Sequence, residues 1–401
     1  MRAWLGVMVW TTAACGPWTP IDHGAIVVGG SSSGVASSSG DDAPSQQDCL
    51  ALAACFERRI DLAVGLAPRD LAVGEIDGNG APDLVVRGDA PVGSARVVVL
   101  QSRERFTILP AAVDAGLGAA LVDVDRDGHH DLVSANGVVL ELRSGASTLT
   151  SVVESAALPQ APVSLVVMPA GDDGESLYAV AELADPGGIA TVRLAGGAFG
   201  EVVQLTAYGQ SSDFSYASNG IDLGDVDADG RVDALAVIDM HGAGTFQAEV
   251  RVWPASQGHY GVQWFSGEGH HQGVGDVDAD GHDDLLVLEF YGRLHRFAWT
   301  GPSSIADIDG WGAAAANVIE VGDVSGDGIA DVVLARHGND EDPRLDLLTD
   351  WDDGTPVIHE LALDHEFDVL LLADVDGDHR DDIIGGSISR QSVTVLYAGM
   401  P

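Results

Sequence analysis

One pattern repeats along this chain and limits what it can fold into. Asp123-Val124-Asp125-Arg126-Asp127-Gly128-His129-His130-Asp131 sets four carboxylates and one glycine within nine residues, then runs into the apolar Leu132-Val133. Carboxylates at alternate positions repel one another unless a cation sits between them. Hard oxygen ligands at this density suit Ca²⁺, which takes about six to eight oxygens in a flexible shell. A glycine after the third aspartate permits the sharp turn that wraps a loop around an ion.

Aligned on the first ligand position, such loops start at Glu75, Asp123, Asp225, Asp276, Asp323 and Asp374. The gap after Asp123 is twice the others. Inside it, Pro169-Ala170-Gly171-Asp172-Asp173-Gly174-Glu175-Ser176-Leu177 keeps the turn and the following strand. Pro169, Gly171 and Leu177 stand where ligands would be. Counting this degenerate unit, there are seven, at steps of 48, 46, 56, 51, 47 and 51 residues. Self-similarity at such a period points to a propeller or solenoid.

Each unit reads as four short strands. The first has Asp70 to Ile76, Leu84 to Arg87, Arg96 to Gln101 and Phe106 to Leu109. The runs are rich in Val, Ile and Leu and are broken by glycine, with no period near 3.6. The last unit has only three, Phe367 to Asp374, Asp382 to Gly385 and Val393 to Tyr397, while an extra strand-like segment, 56–62, precedes the first. The expected fold is all-β: a seven-bladed β-propeller of four-stranded antiparallel blades. Its N-terminal strand closes the last blade and removes an open edge.

The charge balance narrows the partners. The chain has 401 residues, 62 of them acidic and 19 basic, all arginine, for a net charge of −43. Phosphate backbones would be repelled, which argues against nucleic acid. Of the 62 acids, 22 fall on the ligand positions of the six loops.

The first 15 residues read as an export signal, with Arg2 ahead of the short apolar run Ala3 to Trp10. Thr12-Ala13-Ala14-Cys15-Gly16 resembles the lipobox of bacterial lipoproteins, with Thr12 where leucine is usual. The resemblance implies lipidation at Cys15; the alternative is ordinary cleavage after Ala14. Residues 16–48 have the Gly/Ser/Pro composition of a flexible linker. In an oxidising compartment Cys49 and Cys55 would form a small disulfide loop at the start of the domain over 49–401. The third blade, about 160–207, lacks metal ligands.

Stretches such as Gly224-Asp225-Val226-Asp227-Ala228-Asp229-Gly230-Arg231-Val232-Asp233-Ala234-Leu235 resemble the FG-GAP/VCBS repeats. These are known from the seven-bladed propeller of integrin α-subunits and from bacterial surface proteins. The likeness covers about residues 56–401; the Phe-Gly and Gly-Ala-Pro signatures of that family are mostly eroded. It implies side-chain ligands at loop positions one, three, five and nine and a main-chain carbonyl at seven. Residue by residue these are Glu75, Asp77, Asn79 and Asp83; Asp123, Asp125, Asp127 and Asp131; Asp225, Asp227, Asp229 and Asp233; Asp276, Asp278, Asp280 and Asp284; Asp323, Ser325, Asp327 and Asp331; and Asp374, Asp376, Asp378 and Asp382. Glu75 is longer than the usual first ligand, and His379 replaces the glycine of the last loop. Up to six Ca²⁺ with a structural role are expected.

An EF-hand loop also opens D-x-D-x-D-G but needs a bidentate glutamate at position twelve. Here those positions are Val86, Ser134, Ala236, Val287, Leu334 and Gly385, and strands follow. Mg²⁺ fits less well, because it keeps its waters.

No nucleophile–base arrangement can be placed by spacing, so no catalytic residue is assigned. His129-His130 and His270-His271 offer a weak transition-metal alternative. Arg87-Gly88-Asp89 spells an integrin-recognised tripeptide and reads as chance. Trp264, Trp299, Trp311 and Trp351 read as packing rather than as a carbohydrate-stacking surface. The expectation is an exported, lipid-anchored, calcium-binding propeller at the outer membrane or cell surface. The alternative locations are the periplasm or outside the cell. It would be a non-catalytic binding or adhesion module for a protein or glycan of the cell envelope, touching membrane only through its anchor. The alternatives are a carbohydrate-active enzyme, a lyase or hydrolase, on the same scaffold, and a structural envelope protein.

Overall fold

The computed structural model describes residue 56 and residues 58–399, apart from 91–92, 103–104, 114–116, 170–176, 184–187, 208–214, 243–244, 254–260, 266–268, 290–291, 302–303, 313–315, 339–340 and 352–354. The export signal, the linker, Cys15, Cys49, Cys55 and most of the degenerate loop lie outside the described residues. No helix among those residues is long and apolar enough to cross a membrane.

Antiparallel β-sheets make up the fold, a β-propeller. Among the described residues six sheets, rather than the expected seven, are blades of four strands; five of them are laid down by hairpins in chain order, and one takes its outermost strand from the start of the chain. The seventh departs from the expected four. After Ala67–Gly74, Asp83–Asp89, Ser94–Ser102 and Arg105–Ile108 it carries a fifth strand, Ala112–Val113. Both of the last two pair with Ser94–Ser102, in registers Val99↔Ile108 and Ala95↔Val113. They occupy one edge in two pieces. Pro110 lies between them and has no N–H to give to the ladder.

The innermost strands are Ala67–Gly74, Leu117–Val122, Pro162–Pro169, Ser215–Gly224, Gly269–Gly275, Ala316–Gly322 and Val369–Ala373. Each touches the next in that order, and the last touches the first, so the ring is closed. Apolar layers between neighbouring sheets form the core: Val226, Leu235 and Val237 meet Leu285, Val287 and Phe297, for example. Inner strands are buried on both faces, as at Val369–Ala373 and Asp382–Ser387, and read as unbroken apolar or small runs. Outer strands such as Val152–Ala157 and Val357–Ala362 alternate exposed and half-buried residues. Each fully buried Val or Leu contributes about 1.5–3 kcal/mol.

The ring closes through Arg59–Ala63, which pairs antiparallel with Ser392–Leu396, Ile60 opposite Val395. This strand starts three residues later than the expected 56–62; Phe56 is instead buried in the core beside Phe367. Side chains reinforce the joint. Arg59 lies 2.8 Å from Asp364, the Thr394 hydroxyl donates to Asp61 at 2.6 Å, and the Arg58 guanidinium sits 3.8 Å over the Tyr397 ring.

Candidate metal centres

Each acidic loop is an eight-residue excursion between an innermost strand and its neighbour. The residue before the loop pairs with loop position nine: Gly74↔Asp83, Val122↔Asp131, Gly224↔Asp233, Gly275↔Asp284, Gly322↔Asp331 and Ala373↔Asp382. In the third blade the matching pair is Pro169↔Leu177. Pro169 therefore holds the place before the loop rather than the first ligand position, and its excursion, 170–176, is one residue shorter. Leu177 takes the ninth position as a buried apolar side chain.

The first carboxylate organises the turn. Asp123 accepts N–H bonds from Asp127 and Gly128, Asp225 from Asp229 and Gly230, and Asp276 from Asp280 and Gly281, all at 2.8–3.1 Å. Glu75 reaches Gly78, Asn79 and Gly80 with its two oxygens. Position six has positive φ throughout: Gly80, Gly128, Gly230, Gly281 and Gly328 lie between +81° and +87°. His379 adopts +70° at the same place, a conformation that costs a β-carbon-bearing residue about 1 kcal/mol.

The ninth carboxylate ties the loop to the sheet. Asp83 accepts from Ile76 N–H at 2.8 Å with one oxygen and from Gln101 N–H at 2.7 Å with the other. Asp131 joins Val124 to Gly145, and Asp382 joins Val375 to Ala398, in the same way. Burial pushes these carboxyls up, Asp83 and Asp131 to about 6, Asp284 and Asp382 to about 8. Neighbouring carboxylates of the same loops add to the shift.

Five loops gather three carboxylates whose oxygens lie within 4.8 Å of one another. In three of them the trio comes from positions one, three and five: Asp123, Asp125 and Asp127; Asp225, Asp227 and Asp229; Asp276, Asp278 and Asp280. In the other two it comes from positions one, three and nine: Glu75, Asp77 and Asp83; Asp374, Asp376 and Asp382. Position four separates the classes. It is Gly78 or Gly377 in the second class and Arg126, Ala228 or Ala279 in the first. The Asp323 loop has Gly326 at position four and Ser325 at position three, and Asp331 accepts from Ser325 N–H at 2.7 Å. An all-oxygen donor set at this density, with charge that raises its own pKa values, fits a hard divalent cation.

Two arginines were not foreseen. Arg296, nearly buried, brings its Nη1 to 2.7 Å from Asp278 and 3.4 Å from Asp284, so the Asp276 loop carries a resident positive charge. Arg58 approaches Asp376 at 3.4 Å from a far more exposed position.

Position eight was also missed. Asp225 N–H donates to Asp283 Oδ2 at 2.7 Å, and Asp283 N–H donates to Asp225 O at 3.1 Å. Asp323 and Asp381 repeat the exchange at 2.9 and 2.8 Å. Glu75 N–H donates to His130 Nδ1 at 2.9 Å; burial holds His130 below its usual pKa, in the neutral form that can accept. His129 and His282, at position seven, reach the carbonyls of Ile76 and Val226. The histidines singled out at 129–130 thus bind the neighbouring loop's backbone. The side chain of His270 is outside the described residues.

Other candidates resolve as structure. Arg87 is buried and paired with Asp70 at 2.9 Å, so the Arg87-Gly88-Asp89 tripeptide is not displayed. Trp351 is buried and Trp299 packs against a core cluster, while the side chains of Trp264 and Trp311 are outside the described residues.

No family model and no curated protein matches this chain. Among solved structures it is similar in fold to the one described as the crystal structure of BBS1N in complex with ARL6DN, soaked with lead. The TM-score is 0.56 at 10% identity, over 85% of this chain and 98% of that one. A likeness at that identity speaks for the β-propeller fold and carries no site residue across.

Proposed function

We propose that this chain is a calcium-stabilised β-propeller acting as a non-catalytic binding or adhesion module. The sheet with the split outer edge counts as a blade in this reading, giving a seven-bladed ring. The observation that carries the reading is the recurrence of three carboxylates within 4.8 Å in five separate loops, each at the same place in its blade. The sequence likeness to FG-GAP/VCBS repeats supports the choice of Ca²⁺ and the cell-surface setting. The signal-like leader and Cys15 support export and a lipid anchor. Glu75, Asp77 and Asp83, Asp374, Asp376 and Asp382, and the first-, third- and fifth-position carboxylates of the Asp123, Asp225 and Asp276 loops would hold the ions. The ions would pin the loops and neutralise clustered charge. A rigid blade scaffold would leave other loops free to meet a protein or glycan.

Extracellular Ca²⁺ modules bind at about 10⁻⁴–10⁻³ M. At tenfold excess over Kd each site would add ~1.4 kcal/mol. Five or six sites would then add on the order of 8 kcal/mol, comparable with the net stability of a domain. Thermal unfolding with CaCl₂ and with a chelator tests this. The expected result is a Tm higher by ten degrees or more (roughly, for several kcal/mol) with calcium; an unchanged Tm would remove the reading.

A further inference from the structure

The acidic loops are joined to one another by bonds that no ligand set requires. The residue just before the ninth ligand of one loop binds the backbone of the first ligand of the loop before it. Asp283 and Asp381 do so through both side chain and N–H, His130 likewise onto Glu75, and Ala330 through its N–H alone, onto Asp276 O at 3.0 Å. Three seams lack the arrangement, one at Pro82 and one on each side of the third blade. Pro82 holds position eight of the first loop and has no N–H, and the third blade has no ligand loop to join.

We infer that cation binding at adjacent loops is positively coupled through these links, within two groups: the Glu75 and Asp123 loops, and the run from Asp225 through Asp276 and Asp323 to Asp374. The inference rests on the calcium reading above. An ion held by Asp276, Asp278 and Asp280 orders the loop that carries Asp283, and Asp283 holds both backbone groups of Asp225, the first ligand of the preceding loop. The ordering entropy spent at one site is then not spent again at the next. The Asp276–Asp323 link, with one bond in place of two, is the weakest of the longer group.

Calorimetric titration of the full chain with CaCl₂ tests it. The native chain is expected to show a Hill coefficient above one. Asp283→Ala, which leaves every ligand in place, should weaken binding in the longer group ~fivefold, a typical coupling. Asp283→Asn loses the same charge but keeps an acceptor for Asp225 N–H, and should bind like the native chain. Asp123→Ala with Asp125→Ala should remove one equivalent and leave the affinity of the longer group unchanged. Circular dichroism reports whether Asp283→Ala folds; should it not, the native Hill coefficient and the Asp123 variant decide. No calcium uptake by the native chain would overturn the calcium reading and the coupling together. Uptake with a Hill coefficient of one, or equal affinities in Asp283→Ala, would leave the calcium reading and overturn the coupling.

Discussion

Where the Asp225 loop meets the Asp276 loop, Gly224 lies so close to the next blade that a β-carbon there would stand 2.3 Å from Val274 Cγ1 and 2.9 Å from an Asp283 oxygen. Where the Asp374 loop meets the Glu75 loop, Ala373 replaces the glycine and Pro82 replaces Asp283. The same correlation runs round the ring. Gly74, Gly275 and Gly322 precede loops whose neighbour supplies a position-eight link; Ala373 precedes a loop whose neighbour has Pro82 there, with no N–H to give. Glycine is present because the link draws two backbones together, and it is replaced by Ala373 at the closing seam, where Pro82 has no N–H to form one. The closing seam is held by other means: Gln101 Nε2 donates to Val375 O at 2.6 Å, and the strand Arg59–Ala63 adds a hydrogen-bonded edge.

That contrast can be broken from either side. The largest effect is expected from a chain beginning at Val64, which removes the closing strand and five paired positions. At about 1 kcal/mol per lost backbone hydrogen bond, the loss is on the order of 5 kcal/mol. The bared edge of Ser392–Leu396 should drive self-association, visible by size-exclusion chromatography.

Next comes a pH effect confined to the linked side. Asp222 and Glu320 are buried on inner strands, and one oxygen of each lacks a hydrogen-bond partner. Burial pushes Asp222 up to about 7 and Glu320 well above its usual value, with the charge of Asp222 adding to the second. A carboxyl whose folded pKa is raised stabilises fully only below its unfolded value, and that contribution is lost as pH rises through the folded value. Asp222→Asn should therefore raise stability at pH 8.5 by up to about 4 kcal/mol, and change it little near pH 4. Denaturant melts at the two pH values check the sign.

Gly224→Ala should cost about 1–3 kcal/mol through overpacking against Val274. Ala373→Gly at the closing seam should cost only about 0.5–1 kcal/mol, from backbone entropy. Equal costs would mean that the link does not set the blade spacing.

The smallest effect compares two resident cations. Arg296→Met should raise calcium affinity at the Asp276 loop ~fivefold, about 1 kcal/mol. Arg58→Met should leave the Asp374 loop nearly unchanged, because Arg58 is exposed and its charge is screened. Titration of each variant against the native chain would show the difference.

Much of this was legible in the residues. Blade period, loop positions and the pairing of a leading strand with the last blade all follow from spacing and apolar runs. The misreadings have physical causes. Pro169 was aligned as a ligand position because the sequence does not show strand register, and the register moved it back by one. The split outer strand at Pro110 was hidden because either piece alone passes for a strand. Arg296 was not seen beside Asp278 because the two come together only through sheet pairing. The position-eight link did leave a trace, in the glycine of Gly224-Asp225, Gly275-Asp276 and Gly322-Asp323. Without knowing which loops are neighbours, that glycine looks like part of a turn.

The sequence alone determined the local chemistry: a repeating acidic loop between apolar runs, whose turn and hydrogen bonds close within nine residues. Tertiary structure alone decided how one loop meets the next and which carboxylates carry an arginine. It also decided which seam rests on a strand rather than on a link. The links between loops join residues more than fifty positions apart, across blade faces whose spacing is set by packing, and no local pattern encodes that spacing.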